Sequence, residues 1–192
     1  MNELHSRILE ISKKLGLSHL GSNLTSVNII DEIYSEKKDN EPFILSSGHA
    51  GLALYVVLEK YYGLNATELF LKHGTHPSRS ESDKIYCSTG SLGHGLPIAL
   101  GMALADRNKK VYCLISDGEC CEGTIWETAN VVNKYFVTNL ELYLNWNGWS
   151  AYDRIDLTMI SNVKTLFPYI RICETRVEDY GLKALSAHYV KA

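Results

Sequence analysis

The stretch KVYCLISDGECCEGTIWETANVVNKYFVTNLELYLNWNG, residues 110–148, decides the fold. Residues 110–116 and 140–146 are short, near-continuous apolar runs. Residues 124–134, between them, carry apolar side chains at helical spacing. Strand, helix and strand in that order, with the strands near-continuously apolar, predict a parallel sheet covered on both faces. On the carboxyl side, YIRICET (169–175) reads as a further strand after a helix-like 157–165. On the amino side, PFILSS (42–47) reads as a short strand. Helices are expected over 4–15, where Leu4, Ile8, Leu9, Ile11 and Leu15 recur at three- and four-residue steps, and over 26–34. Two more are expected over 49–62, broken at Gly63, and over 92–106, which is apolar all round. The expected class is α/β, a doubly wound parallel sheet with helices on both faces. No linker, repeat or low-complexity stretch divides residues 1–192, so one domain is expected.

Composition narrows the function. With 192 residues, 45% of them hydrophobic, a core that buries roughly 70% of the unfolded surface is within reach without staples. Lys and Arg total 19 against 22 Asp and Glu, a net charge of -3. That balance argues against nucleic acid or an anionic membrane as partner. The longest apolar run, 96–105, is about half of what a bilayer requires, and the polar start MNELHSRILE is unlike a signal peptide. Five unevenly placed cysteines suit a reducing compartment, and cytoplasmic location is the expectation. Cys120 and Cys121 are expected to pack into a helix start, with nothing nearby to make either a nucleophile.

In parallel α/β sheets, ligands sit beyond the carboxyl ends of the strands. Asp117-Gly118 follows one strand and Asn147-Gly148-Trp149 the next, 147 − 117 = 30 residues later, one strand-helix-strand unit. Neighbouring strands lie about 4.8 Å apart, so both side-chain oxygens could reach one ion. A carboxylate, a carboxamide and a backbone carbonyl are hard ligands suited to Mg2+ with phosphate oxygens. Gly118 would let a phosphate approach the backbone at the following helix. The same residues serve equally well as two turns that cap strands, and the pairing alone leaves both readings open.

Longer motifs carry more weight. SDGECCEGTIWETA followed by NWNG resembles the thiamine-diphosphate motif. Within it, E-x-x-E-G-x-x-W-E-x-A is similar to the N-terminal subunit of split transketolases. TGSLGHGLPIALGMALA (89–105), FILSSGHAGLALYVVL (43–58) and GTHP (74–77) resemble that family's segments in order, and SHLGSN (18–23) is a weaker match. The resemblance implies Mg2+, or Ca2+ or Mn2+ in its place, on Asp117, Asn147 and the Trp149 carbonyl. It also implies that the Gly118 amide meets the diphosphate and His49 stands beside it. His19 and His76 would face the substrate channel, Gly90 and Leu92 the thiazolium and aminopyrimidine, and Glu122 a subunit interface. His5, His73, His94 and His188 read as structural or surface residues. Departures are Leu20, His94, Ser116, Asn145 and the SAYD segment (150–153), where the family has Pro, Gln, Gly, an Asp or Asn, and a Q-x-D-G turn.

The glutamate that activates the cofactor belongs, in that family, to a pyrimidine-binding domain, and no second α/β unit fits in 192 residues. The chain is also shorter than the usual N-terminal subunit. The resemblance therefore implies a polypeptide that acts only with a pyrimidine-binding, C-terminal partner chain, as a heterotetramer. The reaction would transfer a two-carbon ketol unit from a ketose or its phosphate to an aldehyde. The alternatives are a non-catalytic stabilising or regulatory subunit, or a related thiamine-dependent decarboxylase or acyltransferase. A dinucleotide-binding site is disfavoured, because no G-x-G-x-x-G follows a strand.

Overall fold

The computed structural model describes residues 2–150 and 153–183. Helices α1 (Glu3–Leu15) and α2 (Leu20–Glu36) precede strand β1 (Phe43–Leu45). Helices α3 (Gly51–Tyr62), α4 (Ala66–His73) and α5 (Gly95–Ala105) lead to β2 (Val111–Ser116). Then α6 (Gly123–Lys134), β3 (Leu140–Trp146), α7 (Leu157–Leu166) and β4 (Arg171–Glu174) alternate. The four strands form one parallel sheet in the order β1-β2-β3-β4, in register from Leu45↔Leu114 through Leu114↔Tyr143. Every carboxyl end therefore opens at the same edge.

The apolar strands have the predicted consequence. Phe43, Leu45, Tyr112, Leu114 and Tyr143 point into a core shared with α1 to α4. The alternate residues Ile44, Val111, Cys113, Ile115, Leu142 and Leu144 enter a second core under α5, α6 and α7. All six residues of β2 are buried, as a central strand with two covered faces requires. The α/β expectation holds, and β3 occupies residues 140–146 as read from the sequence.

Three elements differ from the sequence reading. Helix α2 starts six residues earlier than the periodic apolar residues suggest. Its first turns, LGSNLTS, lack an apolar face at helical spacing and fall outside the helix expected over 26–34. In the fold they are buried, and tertiary partners satisfy several of their side chains. The Ala53 amide donates to Asn23 Oδ1 at 2.9 Å, and Asn145 Nδ2 donates to Thr25 and Ser26 at 2.9 and 3.0 Å. Helix α4, absent from the sequence reading, is capped by Asn65, whose side chain accepts from the Thr67 and Glu68 amides. Helix α5 begins at Gly95, because residues 92–94 belong to the loop that meets the site. Cys120 is buried as expected, whereas Cys121 is exposed: the tight turn Gly118–Cys121 points consecutive residues to opposite sides. His188 and Ala151 and Tyr152 of the SAYD segment lie outside the described residues.

Candidate functional site

A cavity of about 200 Å³ lies at the carboxyl edge of the sheet. Ser47 follows β1, Ser116 and Asp117 end β2, and Asn145 and Asn147 end β3. The amino end of α2 contributes His19, Ser22 and Ser26, and the intervening loops bring His49, His76, Gly90 and Leu92. Gly118, Trp149 and Ser150 complete the wall. Of the site residues singled out in the sequence, Glu122 alone lies outside this cavity. It precedes α6 and packs at Gly93.

Asp117 is fully buried, and its carboxylate organises the floor. One oxygen accepts from the Gly118 amide at 3.0 Å. The other accepts from the Asn147 and Gly148 amides at 2.9 and 2.6 Å. This ties the end of β2 to the turn after β3. Asn147 Oδ1 in turn accepts from the Trp149 amide at 3.0 Å. Burial pushes the Asp117 carboxyl up to about 6, against the pull of these amides.

The histidines sit on shaped backbone. His19 is left-handed (φ 61°, ψ 29°), a conformation uncommon outside glycine, and immediately precedes α2. Its Nδ1 lies 3.0 Å from Ser18 Oγ, and its ring centroid is 5.7 Å from that of His49. His76 packs under Gly90: a Cβ at Gly90 would stand 3.2 Å from the imidazole, on a φ of +154° that disfavours any side chain. His5 and His73 are structural as read. His5 is buried between Leu24 and Tyr180, and burial lowers its pKa. His73 is paired with Asp83 at 2.8 Å.

Among the described residues no Lys or Arg lines the cavity. The hydroxyls of Ser22 and Ser47 are buried there without a hydrogen-bond partner, as is that of neighbouring Thr89. Such orphaned donors are normally satisfied by a ligand or water. Among the described residues, no group of three or more His, Cys, Asp or Glu could hold a metal ion. A cation here would therefore rest on one carboxylate, the carboxamides at the end of β3, backbone carbonyls and oxygens of its own ligand. That all-oxygen set fits Mg2+, which commonly shares its shell with phosphate. A polyanion would meet no described ammonium or guanidinium group in the cavity, so a bridging divalent ion fits both requirements.

Sequence reasoning missed Ser22, Ser26, Ser47 and Ser150. The available signal was the run of small polar residues opening α2, in a segment otherwise too apolar for a surface loop.

Gly118 has an ordinary φ, and an added Cβ would meet only Ser150, at 3.4 Å or more. Gly118→Ala is therefore expected to fold with stability within about 0.5 kcal/mol of the parent. If a ligand approaches its amide closely, affinity should fall severalfold. Thermal unfolding together with titration by thiamine diphosphate and Mg2+ checks both parts.

The fold and the cavity define a parallel α/β protein with a polar cavity at the carboxyl ends of its strands. Residues 1–173 match a family described as 1-deoxy-D-xylulose-5-phosphate synthase. The chain belongs to that family, the transketolase-like N-terminal domains. It is 32% identical over 161 residues to one of the subunits of an apulose-4-phosphate transketolase from Phocaeicola vulgatus, covering 73% of this chain and 57% of that protein. It is 30% identical over 166 residues to the 6-deoxy-6-sulfo-D-fructose transketolase subunit SqwG of a Clostridium species, covering 76% and 60%. Against transketolase of Pongo abelii the identity is 36% over 121 residues, covering 56% of this chain and 19% of that protein. The chain thus spans little more than half the length of the first two relatives.

Proposed function

We propose that this chain is the diphosphate- and Mg2+-binding part of a split, transketolase-like enzyme. The observation that carries this reading is the Asp117–Asn147 juxtaposition at adjacent strand ends, in a cavity with no Lys or Arg among its described residues. Asp117 and Asn147 would hold the ion with the Trp149 carbonyl, and the Gly118 amide would meet the diphosphate. The unpartnered hydroxyls of Ser22 and Ser47 would donate to ligand oxygens. Bound thiamine diphosphate supplies the electron sink for cleaving the bond beside a ketose carbonyl. The part played by this chain would be to orient that cofactor and to move protons at substrate hydroxyls through His19, His49 and His76. The overall reaction would pass a two-carbon ketol unit from a ketose or ketose phosphate to an aldehyde.

In the family the motifs resemble, the activating carboxylate belongs to a pyrimidine-binding domain, and two relatives are named as subunits, which supports a partner chain that carries it. The α5 surface suits such a contact. It is apolar all round, with Ile98 39% exposed and Gly101 and Ala105 open to solvent. Glu122 would lie near the centre of a heterotetramer. Five free thiols suit a cytoplasmic setting, and no helix among the described residues is long and apolar enough to cross a membrane.

The test is native mass spectrometry of the tagged chain, purified from its own host in thiamine diphosphate and Mg2+. A complex with a second polypeptide and bound cofactor supports the reading and provides material for a donor and acceptor screen. A cofactor-free chain, alone or paired, supports a non-catalytic subunit. The family description favours one other reaction, formation of 1-deoxy-D-xylulose 5-phosphate, and the same complex can be assayed for that product.

A further inference from the structure

Glu119 lies two residues past Asp117, fully buried, and is not among the residues that line the cavity. One carboxylate oxygen accepts from Ser46 Oγ at 2.5 Å and from the Gly93 amide at 2.9 Å. The other accepts from the Ser116 amide at 2.9 Å and from Ser116 Oγ at 3.3 Å. Ser46 Oγ also accepts from the Gly95 amide at 3.1 Å, so the hydroxyl relays the contact to the start of α5. Four donors on two oxygens fill the acceptor capacity of an ionised carboxylate. No Lys, Arg or His is among these partners, so the side chain is held as an acceptor hub and not as half of an ion pair.

The three segments joined here are the loop after β1, the loop into α5 and the end of β2. Each continues directly into the cavity wall, at Ser47 and His49, at Gly90 and Leu92, and at Asp117. They are packed to their limit. A Cβ at Gly95 would lie 2.5 Å from the Ser46 backbone, and one at Gly93 would lie 2.4 Å from Thr124 Oγ1. We infer that Glu119 is a positioning residue, whose buried carboxylate sets the spacing of these three segments and thereby the width of the cavity. A carboxylate buried without a cation is costly, and an apolar or amide side chain at this point could not accept from the same four donors. Glutamine would offer one oxygen and turn its amide donors toward two others.

The link to ligand binding rests on the cofactor reading above, whereas the loop-setting role does not, so hydrogen exchange on the ligand-free full chain separates them. Glu119→Gln is expected to speed exchange at the Gly93 and Ser116 amides at least tenfold while Leu114 and Leu144 stay protected. In the complex with its partner it should also weaken thiamine diphosphate binding at saturating Mg2+ at least tenfold. Ser46→Ala, a milder change, should speed Gly93 and Gly95 but leave Ser116 at its parent rate. It decides the matter should Glu119→Gln not fold. Parent rates at Gly93 and Ser116, or a uniform acceleration across the sheet, overturn the inference. Loosened loops together with no thiamine diphosphate binding by the parent sequence, even in complex with its partner, uphold Glu119's role and overturn the cofactor reading instead.

Discussion

Asp117→Ala is expected to weaken Mg2+-dependent binding of thiamine diphosphate in the assembled complex at least tenfold, about 1.4 kcal/mol. The carboxylate has two jobs that alanine cannot do. It offers the only carboxylate among the described cavity-lining residues, and it anchors the Gly118, Asn147 and Gly148 amides that shape the floor. The pH dependence carries a distinct signature. In the free chain the carboxyl is raised to about 6, above the ordinary aspartate value, so the folded state holds its proton more tightly than the unfolded chain. The corresponding contribution to stability is present below about pH 4 and is lost as pH rises through about 6. Metal binding requires the ionised form. Mg2+ affinity should therefore climb with pH to about 6 and then level, with proton release measurable by calorimetry in two buffers. The climb should vanish in Asp117→Ala, and unchanged binding in that variant would remove Asp117 from the metal site.

The largest expected effect on stability is at Leu114. It is fully buried at the middle of β2, pairs with Leu45 and Tyr143 on the flanking strands, and faces the core under α1 to α4. Its carbonyl accepts the Ser46 amide at 2.9 Å, so the same residue supports the loop that Glu119 holds. Leu114→Ala would leave a cavity between two covered layers that cannot collapse onto it. The expected cost is about 3 to 4 kcal/mol. For a chain of this size that lowers Tm by roughly 10 °C. Chemical denaturation should show a reduced midpoint with an unchanged slope. A loss under about 1 kcal/mol would mean that this core is looser than its burial indicates.

How far the sequence discloses this molecule depends on whether a residue acts locally. The strands were legible because a central parallel strand is largely apolar on both faces, and β2 and most of β3 are. The 30-residue spacing of Asp117 and Asn147 was legible for the same reason: one strand-helix-strand unit returns the chain to the same edge. The amino end of α2 was not, because Asn23, Thr25 and Ser26 meet their partners on α3 and β3, far away in sequence. Glu119 was hidden in the same way. Its partners Ser46 and Gly93 are 73 and 26 residues distant, and nothing in the local pattern DGECCEG separates a surface glutamate from a buried hub. The exposure of Cys121 follows from the turn Gly118–Cys121, where helical periodicity does not apply.

The most direct test of the proposed function locates the ion. Crystals of the chain with its partner, grown in Mn2+ and thiamine diphosphate, would give an anomalous signal from the metal alone. The expected result is one strong peak about 2 Å from side-chain oxygens of both Asp117 and Asn147, bridged to the diphosphate. Bound cofactor with no peak between those two residues, or with its metal elsewhere, would contradict the assignment on which the proposed function rests.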